Sequence, residues 1–223
     1  MKLKIIEDSA DEPLTIVECR SHLNVYAYDT DSDNVAYHPD DDMILAMLAS
    51  AREMCENFMG RAIKRRKYEL ALDQFPFSNP QYAYPYNAQP DVAGLTGAIE
   101  LPWAPLVTVL SINVGDDSDA LMVEDTDYLV DDYSTPARIV PVSTWPSVTS
   151  SLNQIKIQYI AGYGVDSDGN KPLPYAIRSA IMLTLGTLYA NRENEVIATG
   201  AALKLSSGVE SMLRPYRIRL GMA

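Results

Sequence analysis

The chain has 223 residues, 47% of them hydrophobic and 22% charged, a composition that suits a folded globular protein and excludes a disordered one. A formal net charge of −12 argues against a protein that wraps nucleic acid through phosphate contacts, while an acidic wall suits a surface past which a duplex slides. No apolar run approaches the roughly 18 residues that span a bilayer, and the only two cysteines, Cys19 and Cys55, offer no disulfide framework.

Residues 1–12 read as an extended, acidic arm, flexible or strand-swapping. Met1–Ile6 meets acidic residues at once and lacks a signal peptide's apolar core, so the expected location is intracellular. Thr15-Ile16-Val17-Glu18 has the form of a capping box, predicting a short helix to about Leu23 that buries Ile16, Cys19 and Leu23. Asp29 to Asp42 is an acidic linker, and Asp40, Asp41 and Asp42 stand where an N-cap and first turn favour negative charge. A second helix is predicted to about Met59, with Ile44, Met47, Leu48, Ala51, Met54, Cys55 and Phe58 on its inner face and Gly60 as its stop. The basic run of Arg61, Lys64, Arg65, Arg66 and Lys67 follows.

The middle differs in kind. Tyr68–Asp73, Ile99–Leu101, Val107–Val114, Tyr128–Val130, Arg138–Val140 and Gln154–Ile160 read as short strands split by turns. Residues 75–97 are rich in proline, tyrosine, glycine and asparagine and too long for an ordinary connection. Tyr82, Tyr84 and Tyr86 alternate there, which favours an arm that touches another subunit over a plain surface insertion. Helix returns at Pro174–Glu193, where 177, 180, 181, 184, 185, 188 and 189 form an apolar stripe and Met182, Leu183 and Ala190 widen it almost to a full circle. Such a helix is expected to be covered on two sides, one within the subunit and one by a neighbour. A last helix from Ser206 or Ser207 through Leu213 ends at Pro215, with Arg214, Arg217 and Arg219 in the basic tail.

Three sharper chemistries meet plainer readings. Asp29, Asp31 and Asp33 place oxygens at positions 1, 3 and 5 of a calcium-type loop, but position 6 is Asn34 and position 12 is the short Asp40, so helix capping is preferred over calcium. Cys19, His22, His38 and Cys55 are all the thiols and imidazoles present; only Cys19 and His22 are closely spaced, and core packing is preferred over zinc. The run Arg61–Lys67 is read as a subunit contact or a solvated patch in preference to a DNA contact. No nucleophile elbow or glycine-rich phosphate loop is present, Gly162-Tyr163-Gly164 lacking a third glycine, so no enzyme and no cofactor are expected.

Taken in order, His22-Leu23, Ala51-Arg52-Glu53, Met59-Gly60-Arg61, Leu72-Asp73-Gln74-Phe75-Pro76, Leu101-Pro102-Trp103-Ala104-Pro105-Leu106, Trp145-Pro146, Tyr159-Ile160-Ala161-Gly162-Tyr163-Gly164, Leu173-Pro174 and Tyr189-Ala190-Asn191-Arg192-Glu193 resemble the head–tail connector (neck adaptor) family of tailed phages and prophages, in its subgroup with an inserted β-domain. The likeness covers roughly residues 13–219. It implies a non-enzymatic virion component of the neck, between head and tail, assembled in the bacterial host cytoplasm. Its partners would be the portal protein, the next neck protein (head closure/stopper or tail terminator), and copies of itself in a ring, expected as a homo-dodecamer. Double-stranded DNA would pass through the lumen without sequence recognition, and no membrane is involved. The resemblance implies portal docking by the C-terminal segment, here Leu213, Arg214, Tyr216, Arg217 and Arg219. Met182 and Leu183, with Tyr82, Tyr84 and Tyr86, are the candidate subunit contacts.

The expected fold is α+β. Residues 1–66 and 166–223 would form a bundle of N- and C-terminal helices, and residues 67–165 an inserted, mainly antiparallel β-domain of five to seven strands. The alternatives are another neck or tail-completion protein, or a calcium-binding interaction module built on the Asp29–Asp40 loop.

Overall fold

The computed structural model describes residues 2–9, 11–27, 29–30, 36–76, 97–115, 121–148, 152–164, 172–192 and 205–218. They divide into two compact units. The described residues of 10–63 and 164–223 form a helical unit, and those of 1–9 and 64–163 form a β unit.

In the helical unit, α1 (Ile16–Leu23) starts as its capping box dictates: Glu18 N–H donates to the Thr15 hydroxyl, and Thr15 N–H donates back to the Glu18 carboxylate at 2.9 Å. Asn24, in the left-handed region at φ 56°, ends it. Cys19 and Arg20 are its buried residues, whereas Ile16 and Leu23, expected in the core, are only half-buried. Arg20 goes under because Asp41 neutralises it at 2.9 Å. The helix α2 (Asp41–Met59) buries Ile44, Leu48, Ala51, Cys55 and Met59, with Met47, Met54 and Phe58 half-buried at the margins of that stripe. Gly60 closes it at φ 68°. Next, α3 (Tyr175–Ala190) buries Ile177, Ala180, Ile181, Thr184 and Leu185, and α4 (Ser207–Leu213), capped by the Ser206 hydroxyl, buries Val209 and Leu213. A 3-10 turn, Arg214–Tyr216, follows.

Helices α2 and α3 pack on each other, and α1 and α4 lie against both. With α1 and α4 only about two turns long, these few helices are less than the bundle expected from the sequence; what is observed is an α+β chain with its helices gathered in one unit.

The β unit holds two antiparallel sheets. The larger has the order β1 (Lys2–Asp8), β4 (Arg66–Leu72), β10 (Ile155–Ala161), β6 (Leu106–Val114), β7 (Leu121–Met122). The smaller has the order β5 (Ile99–Glu100), β9 (Arg138–Pro141), β8 (Tyr128–Asp131). The pair β2 (Asp29–Thr30) and β3 (Ala36–Tyr37) is a separate small ladder in the other unit. Alternation in β4 and β10 is what the sequence pattern demands: Tyr68, Leu70, Ile155, Ile157, Tyr159 and Ala161 are all buried on one face. Tyr68 stacks between Trp103 and Tyr159, with ring centroids 6.4 and 5.5 Å away, and the Tyr159 hydroxyl donates to Pro102 O at 2.9 Å. Gly162 follows β10 at φ 128°; a β-carbon there would lie 2.2 Å from Lys64 O, so only glycine fits.

One boundary differs from expectation. Residues 1–66 are expected wholly with the helices, yet β1 pairs with β4 from Lys2–Ala71 to Asp8–Arg66, so the first strand belongs to the β unit. The acidic end of β1 explains this: Asp8 and Glu7 meet the basic start of β4.

Candidate interaction surface

The basic run is largely consumed inside the chain. Arg66 donates to Asp8 at 2.8 Å, Lys64 lies 3.7 Å from Asp8, and Lys67 is 3.9 Å from Glu7. Lys64 and Arg66 are buried. The guanidinium of Arg61 donates to the carbonyl of Tyr216. Strand β1 supplies the counter-charges of Lys64, Arg66 and Lys67, and the C-terminal segment supplies a carbonyl to Arg61, so these four side chains have partners within the chain.

The C-terminal segment lies on the end of α2. Ile218 N–H donates to Met59 O at 2.8 Å, and Ile218 lies in ordinary contact with Gly60. The Arg217 guanidinium sits 5.3 Å from the Phe58 ring centroid. Leu213 is fully buried in the helical unit and anchors the segment rather than facing outward, contrary to its expected role. Arg214 and Arg217 are exposed and Tyr216 is half-buried; Arg219 lies outside the described residues. The seating of the C-terminal segment on Arg61 and Phe58 is not legible in the sequence, since these partners stand about 155 residues apart and no local pattern joins them.

On α3 the apolar side off the buried stripe reaches solvent. Leu183 is 42% exposed and Met182 half-buried, while Tyr175 in the first turn is 87% exposed. Val17 on α1 and Leu45 on α2 are also large apolar side chains left in solvent. Glu18 carries two duties: it completes the α1 cap and pairs with Arg178 of α3. The Thr15 backbone N–H, and then Arg178, hold its carboxyl below the usual glutamate range.

The acidic linker does other work than capping. Asp40 makes no side-chain cap; its carboxylate accepts from the Tyr189 hydroxyl at 2.8 Å and from Arg192 at 2.9 Å. Arg192 also stacks 4.6 Å over the Tyr189 ring. The residue that reaches back is Asp41, which accepts from His38 N–H at 3.0 Å. Asp29 is paired in β2, and Asp31 and Asp33 lie outside the described residues. Cys19 and Cys55 are wholly buried, and no group of three or more candidate metal ligands occurs among the described residues.

Tyr82, Tyr84 and Tyr86 also lie outside the described residues, but both roots of their segment are fixed. Trp145 stacks on Phe75 with centroids 4.5 Å apart and donates from Nε1 to Gly97 O at 2.6 Å.

No protein-family model matches the sequence, and no curated protein does. Solved structures do share the fold. A chain from the "Neck of empty GTA particle computed with C6 symmetry" superposes with a TM-score of 0.70 at 21% identity, over 100% of this chain and 99% of that one. A chain of the "Virion of native gene transfer agent (GTA) particle" gives 0.67 at 20% identity, and one from the "Neck of native GTA particle computed with C12 symmetry" gives 0.66 at 19%, each with the same coverage. At these identities the likeness establishes a common fold, from one end of the chain to the other.

Proposed function

We propose that the chain is a structural component of the neck of a phage-like particle: an adaptor that forms a ring beneath the portal, extends the DNA channel and carries the next neck protein. The observation that supports this reading best is the end-to-end match of fold with chains taken from particle necks solved with sixfold and twelvefold symmetry. A match over one unit alone would carry less, because common folds are reused for unrelated work. The order of sequence motifs quoted above points the same way.

In this reading the helical unit has a free side, centred on Leu183 with Met182 beside it, that meets the next subunit. Arg214 and Arg217 are offered to acidic groups of the portal, with Leu213 holding their segment down, and Arg219 extends the same basic tail. Tyr82, Tyr84 and Tyr86, which lie outside the described residues, are offered as further contacts to a neighbouring subunit or the next neck protein. An acidic chain of net charge −12 lets DNA pass without adhering. The role asks for no catalytic group and no cofactor.

The test is mass measurement by light scattering of the purified chain, alone and with the purified portal protein of the same particle. A complex of stoichiometric ring mass is expected with the portal. A chain that never joins the portal at any concentration overturns the reading; a chain that is monomeric only when alone does not, because a ring can wait for its template.

A further inference from the structure

Among the described residues, the outer edge of β1 is the longest open sheet edge in the β unit, and its sequence is complementary to itself. Among the described residues no strand pairs with that edge, while β7 at the other end of the sheet is only two residues long. Every side chain of β1 but Leu3 is exposed, including Ile5 at 49% and Ile6 at 37%. An open edge presents backbone donors and acceptors ready for another strand, and proteins ordinarily guard it with lysines and bulges. Both guards are here: Lys2 and Lys4, and a bulge that leaves Ile6 without a partner on β4.

Those guards repel most strands but not a second β1. Opposite residues of a sheet lie on the same face. On β1, Lys4 stands beside Glu69 and Glu7 stands beside Lys67, so both belong to one face of the sheet, with the bulge correcting the phase between them. Of the antiparallel registers near the strand's middle, the one that sets Lys4 opposite Glu7 keeps like faces together. It then repeats itself by symmetry, as Glu7 meets Lys4 of the second copy. Each row would alternate in charge, Glu69, Lys4, then Glu7 and Lys67 of the other molecule. Ile5 and Ile6 of both copies would meet at the two-fold axis, an apolar centre with a charged rim.

We propose that this edge is a self-association surface, in which β1 pairs antiparallel with β1 of a second copy of the chain in the Lys4–Glu7 register. The interface is isologous and closes on itself as a dimer, whereas a ring is built head to tail. The inference therefore stands apart from the neck reading, and either can fail alone. A parallel pairing would set Lys4 beside Lys4 and Glu7 beside Glu7, which the charges disfavour.

The experiment is sedimentation velocity of the full chain from about 1 μM to about 1 mM, the range in which a contact this small would show. The wild type is expected to shift from monomer to dimer, and Ile6→Asp, at a position with no partner on β4, to remain monomeric at tenfold higher concentration with unchanged circular dichroism. A wild type that stays monomeric throughout overturns the proposal, as does a dimer that Ile6→Asp leaves intact. The register is read separately by mixing Lys4→Cys and Glu7→Cys chains under oxidising conditions, opposite β-carbons being close enough for a disulfide. A disulfide dimer holding one chain of each variant is expected. Dimers that mostly join two chains of the same variant, or no cross-link at all, overturn the pairing.

Discussion

Tyr189 donates its hydroxyl hydrogen to Asp40 at 2.8 Å, tying the last turn of α3 to the residue that precedes α2. The bond shifts both partners. Asp40 falls below its ordinary 3.8 because Tyr189, and then Arg192, favour its charged form. Tyr189 rises above its ordinary 10.0 because Asp40 holds its proton. The stability this contact lends is complete above the ordinary aspartate value and is lost as pH falls through Asp40's lowered one. At the alkaline end it is complete below 10 and is lost as pH rises through the raised tyrosine value. Thermal melts across pH, followed at the helical circular-dichroism band, should show both limbs in the wild type. Tyr189→Phe and Asp40→Asn should each flatten both limbs, because each partner shifts the other.

Arg52 is 3% exposed and donates to Glu56, also 3% exposed, at 2.7 Å and to Glu12 at 2.8 Å, while Glu56 accepts from Ile63 N–H at 2.7 Å. Removing one member of such a buried pair leaves the other charge uncompensated, a loss of about 3–5 kcal/mol. Arg52→Met should therefore destabilise the helical unit by that amount in urea unfolding. A change under about 1 kcal/mol would mean that water reaches the site.

Gly162→Ala forces a β-carbon against Lys64 O and a left-handed φ on a residue that resists it. A cost of about 2 kcal/mol or more is expected, and it should fall on the β unit. Trp103 and Trp145, the only two tryptophans, both lie there, so their fluorescence reports that unit's unfolding apart from the helices.

Burial pushes the thiols of Cys19 and Cys55 up to about 11. At pH 8 the reactive thiolate is then a fraction of order one in a thousand. Both should react with an aromatic disulfide reagent at least about a hundredfold more slowly in the native chain than in urea. Fast native labelling of either would show that its helix opens readily.

Leu183→Asp alters a side chain that is 42% exposed and off the buried stripe of α3. The isolated chain should keep its circular dichroism and unfold within about 0.5 kcal/mol of wild type. Assembly with the portal should fall sharply. If the monomer unfolds instead, the side chain serves the subunit's own core.

Local rules made much of the helical unit readable. Thr15 with Glu18, Gly60 after Met59, and Ser206 before α4 each act within one turn, so their geometry is written in adjacent residues. Asp40 reads as a cap in sequence because its true partners lie some 150 residues away. Arg52 and Glu56 look like an ordinary surface pair at i, i+4; Glu12, forty residues earlier, completes the buried cluster. The alternation of β4 and β10 was legible, but the placement of β1 was not, because a charged, exposed strand carries little hydrophobic signal. Leu213 is a different case: the family resemblance places it in the docking segment, and its side chain is buried in the core of its own unit.

The larger sheet also dictates an order of events during synthesis. Its central strand, β10, is flanked by β4 and β6, yet it is the last of the five to leave the ribosome. Strand β1 emerges first and must wait for β4, more than fifty residues behind it, and neither β4 nor β6 has its inner neighbour until Ala161 is made. Pairings so distant in sequence form slowly and leave strand edges open meanwhile. The nascent chain is therefore exposed to aggregation through most of its translation; a slowed ribosome before residue 161 should lower the soluble yield, and a lower growth temperature should raise it.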